Sequence, residues 1–136
     1  MTPVPNAREP VLVVEDNPDA RETLVLVLQG AGYAAVGAAN GQEALHYLRE
    51  CPPPCLILLD LSMPVMDGWE FRKRQLQNSQ WARIPVVVVS ALANHAERVA
   101  ELGPVERLTK PLELGGLLET ISRACIKEDV GFLPQA

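Results

Sequence analysis

The sequence predicts an α/β fold, a doubly wound five-stranded parallel sheet with five helices. Three observations point to it. Five strand-length segments alternate with five helical ones along the chain, the order expected of strand–helix–strand crossovers. The first, third and fourth strands are continuous apolar runs rather than alternating ones, which suits strands covered on both faces. The chain is 136 residues long, with 48% hydrophobic and 21% charged residues, enough for one domain with a real core.

The elements follow in order. "PVLVVEDN" is an apolar strand ending in two acids. In "NPDARETLVLVLQGAGY", Asn17 is suited to cap a helix and Pro18 to open it. Leu24, Val27 and Leu28 share one face, and Gly30 and Gly32 end the helix. "AAVGAA" is a short second strand. Asn40 caps a second helix, "NGQEALHYLRE", with Ala44, Leu45 and Leu48 inward. "CPPPC" fits neither a helix interior nor a central strand. "LILLD" is the third strand, and "GWEFRKRQLQNSQWA" the third helix. There Phe71 reads as core, Trp69 as a partly exposed ring, and Arg72, Lys73 and Arg74 as a solvated face. "IPVVVVSA" is the fourth strand, "HAERVAEL" a short fourth helix and "VERLTKP" a brief fifth strand. "LELGGLLETISRACIK" is the fifth helix, with Leu112, Leu114, Leu117, Leu118 and Ile121 mostly inward. The expected bounds are a tail over 1–9, a domain over 10–127 and a polar tail over 128–136.

Composition narrows the function. Aromatics make up 4% of the chain, so the core is built from Leu, Val, Ile and Ala. A net charge of −5 disfavours nucleic-acid binding by bulk electrostatics. No apolar run approaches membrane-spanning length and the N-terminus lacks a signal-type apolar segment, so a cytoplasmic protein is expected. Cys51, Cys55 and Cys125 form no framework and are expected as reduced thiols. His46 and His95 have no ligand-type neighbours and read as surface or boundary residues.

The chemistry lies at the strand ends. In a parallel sheet all carboxyl ends share one edge, where open α/β sheets bind their ligands. Glu15 and Asp16 end strand one, Asp60 ends strand three, Ser90 ends strand four, and Lys110 follows strand five. Three ionised carboxylates in one place need a cation. A hard divalent ion that accepts carboxylates and keeps positions for phosphate oxygens, Mg²⁺, fits them. Lys110 supplies a point charge for phosphate and Ser90 a hydrogen bond. An aspartate on a rigid strand tip can receive a phosphoryl group.

The stretches "VLVVEDNPDAR", "AGYAAVGAANGQEAL", "LILLDLSMPVMDGWEF", "IPVVVVSA" and "LTKPLE" resemble, in order and spacing, the receiver domain of bacterial two-component response regulators, in its stand-alone, CheY-like form. The resemblance covers roughly residues 10–127. It implies a flavodoxin-like sheet of strand order 2-1-3-4-5. It implies a phosphorylation-activated signalling switch, with Asp60 as phosphoacceptor, Lys110 and Ser90 on the phosphoryl group, and Mg²⁺ held by Glu15, Asp16, Asp60 and the backbone carbonyl of Ser62. A cis peptide at Lys110–Pro111 is implied as well. Met63, Pro64, Asp67 and Gly68 match the family's loop after the phosphoacceptor. Implied partners are a histidine kinase or phosphotransfer protein and a downstream protein target. A homodimer through the fourth helix, fifth strand and fifth helix is implied too, with no direct nucleic-acid or membrane contact. Such a protein assists its own phosphorylation and dephosphorylation and turns over no separate substrate.

Two positions depart from the family pattern. Arg107 stands where most receivers carry Tyr or Phe, and its guanidinium cannot swing into an apolar interior without a partner. Leu92 places an apolar side chain near the mouth of the site, at a position that tunes phosphoryl lifetime in related domains. Two other functions share this topology but lack a residue they need. A phosphohydrolase resembling the haloacid-dehalogenase group needs a second aspartate two residues after the nucleophile, where Ser62 stands. A nucleotide or flavin domain needs a glycine-rich first turn, where "EDNPDA" is acidic and glycine-free.

Overall fold

The computed structural model describes residues 9–91, 98 and 100–132, with side chains described through Cys125. The chain runs β1 (Val11–Val14), α1 (Pro18–Gly30), β2 (Ala35–Ala38), α2 (Gly41–Glu50), β3 (Leu56–Asp60), α3 (Gly68–Leu76), β4 (Val86–Ser90), a 3₁₀ turn (Ala100–Leu102), β5 (Glu106–Thr109) and α4 (Leu114–Phe132). The five strands form one sheet of order β2-β1-β3-β4-β5, and every pairing is parallel. The sequence-derived fold class and strand order therefore hold.

The apolar runs explain the layering. All residues of β1, β3 and β4 are buried. Because side chains alternate across a strand, each run feeds two cores. Leu12, Ile57, Leu59, Val88 and Phe71 pack on the face covered by α2 and α3. Val11, Val13, Leu58, Val87, Leu28, Leu117 and Ile121 pack on the face covered by α1 and α4.

The helix ends follow the expected caps. Asn17 Oδ1 accepts the Ala20 N–H at 2.9 Å, and Asn40 Oδ1 accepts that of Glu43 at 2.9 Å. After α1, the Tyr33 N–H reaches back to the Leu28 carbonyl at 2.9 Å, and Gly32 takes φ +98°.

Four expectations are corrected or fall partly out of view. α3 ends at Leu76 rather than running to Ala82. The Asn78 side chain accepts the N–H groups of Gln80 and Trp81 at 2.9 and 3.1 Å and forms a local turn that competes with the helix. Of the basic triplet, Arg72 is no solvated residue. It is 5% exposed and donates to the Leu102 carbonyl at 2.8 Å and to Gln75 Oε1 at 2.9 Å. The expected fourth helix lies mostly outside the described residues, as do Leu92 and His95; the described part holds Arg98 and the 3₁₀ turn. α4 continues to Phe132, into the stretch expected as a tail. Among the described residues no helix is long and apolar enough to cross a membrane.

Candidate functional site

Strand order decides which residues meet. β3 lies between β1 and β4, so Asp60 at its tip has Glu15 and Asp16 on one side and Ser90 on the other. The chain leaves β1 for β2 on one flank and returns to β3 on the other, which opens a crevice at this point. Lys110 lies two strand spacings from β3, about 9.6 Å away in the sheet, a gap that a long side chain spans. Its Nζ stands 3.6 Å from Asp60 Oδ2 and 3.4 Å from Glu15 Oε1. The backbone there is locked to the sheet, with the Lys110 N–H donating to the Ser90 carbonyl at 2.9 Å. The Lys110–Pro111 peptide is cis.

The carboxylates are held by local bonds. The Asn17 N–H donates to Glu15 Oε2 at 3.1 Å, and Arg21 Nη1 donates to the Glu15 carbonyl at 2.8 Å. The Ser62 N–H lies 3.3 Å from Asp60 Oδ1. Glu15, Asp60 and Ser90 are buried, Asp16 is half-buried and Ser62 is exposed. Burial and the nearby Glu15 charge push the Asp60 carboxyl up to about 6, against the opposing pull of Lys110 and the Ser62 N–H.

Close backbone approach builds the loop after Asp60. A Cβ on Gly68 would lie 2.5 Å from the Asp60 carbonyl oxygen and 2.8 Å from Leu61 Cα. Only glycine lets α3 start directly beneath the strand tip, and its N–H donates to the Leu61 carbonyl at 3.0 Å. Gly41 plays the same part for α2, donating to the Met66 carbonyl at 2.9 Å where a Cβ would lie 2.9 Å from that oxygen. Val65, in the same loop, holds φ +68° and is 76% exposed.

The donor set fits a hard divalent ion. One carboxylate oxygen each from Glu15, Asp16 and Asp60 lies within 4.8 Å of the others. Opposite ligands in an octahedral Mg²⁺ shell are ~4.2 Å apart, so these oxygens can gather on one ion with small movements. All are hard oxygen donors, and the repulsion that raises Asp60 is what a cation would relieve.

The structure thus brings together Glu15, Asp16, Asp60, Ser62, Ser90 and Lys110. Arg107 does not join them; it is exposed on β5, at the sheet edge. Sequence reasoning missed Arg21, which anchors the Glu15 backbone, and Arg72, which ties α3 to the residues before β5. Both are charged residues on amphipathic helices, and spacing alone does not distinguish them from solvated ones.

Comparison with known proteins identifies the family. A model of the response regulator receiver domain matches residues 11–122. The alkaline phosphatase synthesis transcriptional regulatory protein SphR of Synechococcus elongatus is 35% identical over 136 residues, covering 90% of this chain and 51% of SphR. The chain therefore spans about half the length of that relative. The crystal structure of a response regulator receiver protein from Pseudomonas putida superposes with a TM-score of 0.77 at 36% identity, over 85% of this chain and 97% of that one. The response regulator TrrA of Thermotoga maritima, solved in complex with Mg²⁺ and BeF, gives a TM-score of 0.76 at 26% identity over 85% of this chain and 98% of its own. The family match over residues 11–122 and the shared fold show that the chain belongs to the response regulator receiver domain family, the phosphorylation-activated switches of two-component signalling.

Proposed function

We propose that Asp60 accepts a phosphoryl group from a histidine kinase or phosphotransfer protein, and that Lys110 and Ser90 then contact the transferred group. The observation that carries this reading is the buried Asp60 carboxylate, 3.6 Å from Lys110 Nζ and within 4.8 Å of the Glu15 and Asp16 oxygens. Glu15, Asp16, Asp60 and the Ser62 carbonyl would hold Mg²⁺. When bound, Mg²⁺ supplies positive charge beside the phosphoryl oxygens. The chain's own residues do the remainder. β3 holds the Asp60 oxygen rigid for in-line attack, Lys110 balances charge on the phosphoryl oxygens, and Ser90 donates a hydrogen bond to one of them. No separate substrate is turned over.

Output passes through protein contacts on β5 and α4, with a downstream protein or a second copy as partner. The exposed edge of β5 and the 54% exposed Leu114 support that face. Net charge of −5 supports a protein rather than a nucleic-acid partner. Arg107 on the exposed edge supports an output step unlike the burial of an aromatic ring.

The test is intact mass after incubation with acetyl phosphate and Mg²⁺, beside Asp60→Asn. A phosphoryl-sized gain that needs both Mg²⁺ and Asp60 is expected. A gain that persists in Asp60→Asn would overturn the assignment.

A further inference from the structure

Away from the acidic edge, at the opposite end of β3, two thiols touch. Cys55 Sγ and Cys125 Sγ are 3.3 Å apart, joining residues 70 apart in sequence. Cys55 immediately precedes β3, and its N–H donates to the Pro10 carbonyl at 3.0 Å, so the sheet fixes its backbone. Cys125 lies on α4, in the core face lined by Leu117 and Ile121. Both thiols are almost fully buried, at 5% and 1% exposure. Cys55 also lines a cleft of about 460 Å³, together with Pro53, Pro54, Gln80, Arg83 and Pro85. "CPPPC" now has a structural meaning, since Pro53 and Pro54 line the same cleft as Cys55 while Cys125 on α4 touches its sulfur.

We propose that Cys55 and Cys125 are an oxidisable dithiol, a covalent modification site that takes a small two-electron oxidant of the peroxide class. Cys55 meets the oxidant from the cleft and Cys125 resolves it. The Cys55 sulfur, as thiolate, attacks one peroxide oxygen. An S–O bond forms, the O–O bond breaks and hydroxide leaves. The Cys125 sulfur then attacks the sulfur of Cys55. An S–S bond forms, the S–O bond breaks, and the oxygen departs as water with the proton that Cys125 gives up. In total two thiols lose two electrons and two protons, and one peroxide becomes two waters. The hydrogen bond with Cys125 and then burial push the Cys55 thiol up, so thiolate is scarce and the reaction is slow compared with that of an activated cysteine.

The product pins α4 to the start of β3. The bond closes a long loop and leaves the acidic edge at the other end of the sheet untouched. It therefore stiffens one of the two elements of the proposed output face without entering the phosphoryl site.

The experiment treats the full chain with hydrogen peroxide under native conditions, blocks remaining thiols, and maps peptides without reduction. The expected result is an intramolecular peptide pair joining Cys55 to Cys125, with loss of two hydrogens from the chain mass. The pair should persist in Cys51→Ser and be absent in Cys125→Ala. A melting temperature raised by roughly 5–10 °C, and reversed by a reductant, should accompany it. Oxygen addition or cross-linking at Cys51 alone, with Cys55 and Cys125 still alkylatable after unfolding, would overturn the proposal. Because the decisive map is made on the unmutated chain, a folding defect in either variant does not affect it.

Discussion

Asp60 is the residue where stability and function pull in opposite directions. Its carboxyl is pushed up to about 6 by burial and by Glu15. A carboxyl held above its unfolded value binds a proton more tightly in the folded state. Stability from this group is thus fully present below the unfolded value, near 4, and is lost as pH rises through about 6. At neutral pH the Mg²⁺-free protein carries a penalty of ~3 kcal/mol from this one charge. Asp60→Asn removes it. Urea unfolding in a chelator should show the variant more stable by ~3 kcal/mol at pH 7, with the gap closing toward pH 4. A variant less stable than the parent at pH 7 would contradict this account. Val65 carries a second local cost. A β-branched residue at φ +68° strains the backbone, and its side chain, 76% exposed, gains little packing in return. Val65→Asn should therefore raise stability by ~1 kcal/mol in the same assay, since asparagine tolerates the left-handed region.

At the scale of elements, the ends of α3 matter more than its length. Its first residue, Gly68, touches the backbone of Asp60 and Leu61. Gly68→Ala would place a methyl 2.5 Å from a carbonyl oxygen that cannot swing aside. A loss of ~3 kcal/mol or more is expected, together with slower phosphorylation of Asp60 from acetyl phosphate, because the strand tip itself must move. Farther along, Arg72 donates to the carbonyl of Leu102, the last residue of the 3₁₀ turn, at 2.8 Å. Gln75, fully buried, bridges Arg72 Nη1 at 2.9 Å to the carbonyls of Trp81 at 2.8 Å and Ile84 at 3.2 Å. These bonds fasten α3 to the approaches of both β4 and β5. Arg72→Ala leaves buried acceptors without donors and should cost ~2–3 kcal/mol by chemical denaturation. The neighbouring salt bridge, Arg74 to Glu70 at 2.7 Å, is exposed, and its removal should change stability by under ~0.5 kcal/mol.

For the whole molecule, Mg²⁺ binding and folding are linked. The carboxylates converge only in the folded sheet, so an ion that binds them stabilises the native state alone. At one hundred times its dissociation constant, Mg²⁺ should add ~2.7 kcal/mol and raise the melting temperature accordingly. Asp16→Ala should abolish most of that shift while leaving the fold intact, because Asp16 is only half-buried. An equal Mg²⁺ shift in parent and variant would remove Asp16 from the metal site.

Much of this was legible in the chain because the deciding physics is local. Apolar runs such as "VVVV" at 86–89 require cover on both faces, and asparagines before Pro18 and Gly41 cap helices wherever they occur. A parallel sheet then sends every strand end to one edge, so Glu15, Asp16, Asp60, Ser90 and Lys110 could be grouped before any distance was known. What the sequence by itself determined was the layered α/β class and the membership of that group. The tertiary structure alone decided the rest. The early end of α3 depends on a turn built by one asparagine side chain. The burial of Arg72 depends on carbonyls 30 and more residues away. The contact between Cys55 and Cys125 depends on how α4 lies across the sheet. These features arise from long-range packing, where partners are chosen by the assembled fold and leave no periodic trace along the chain.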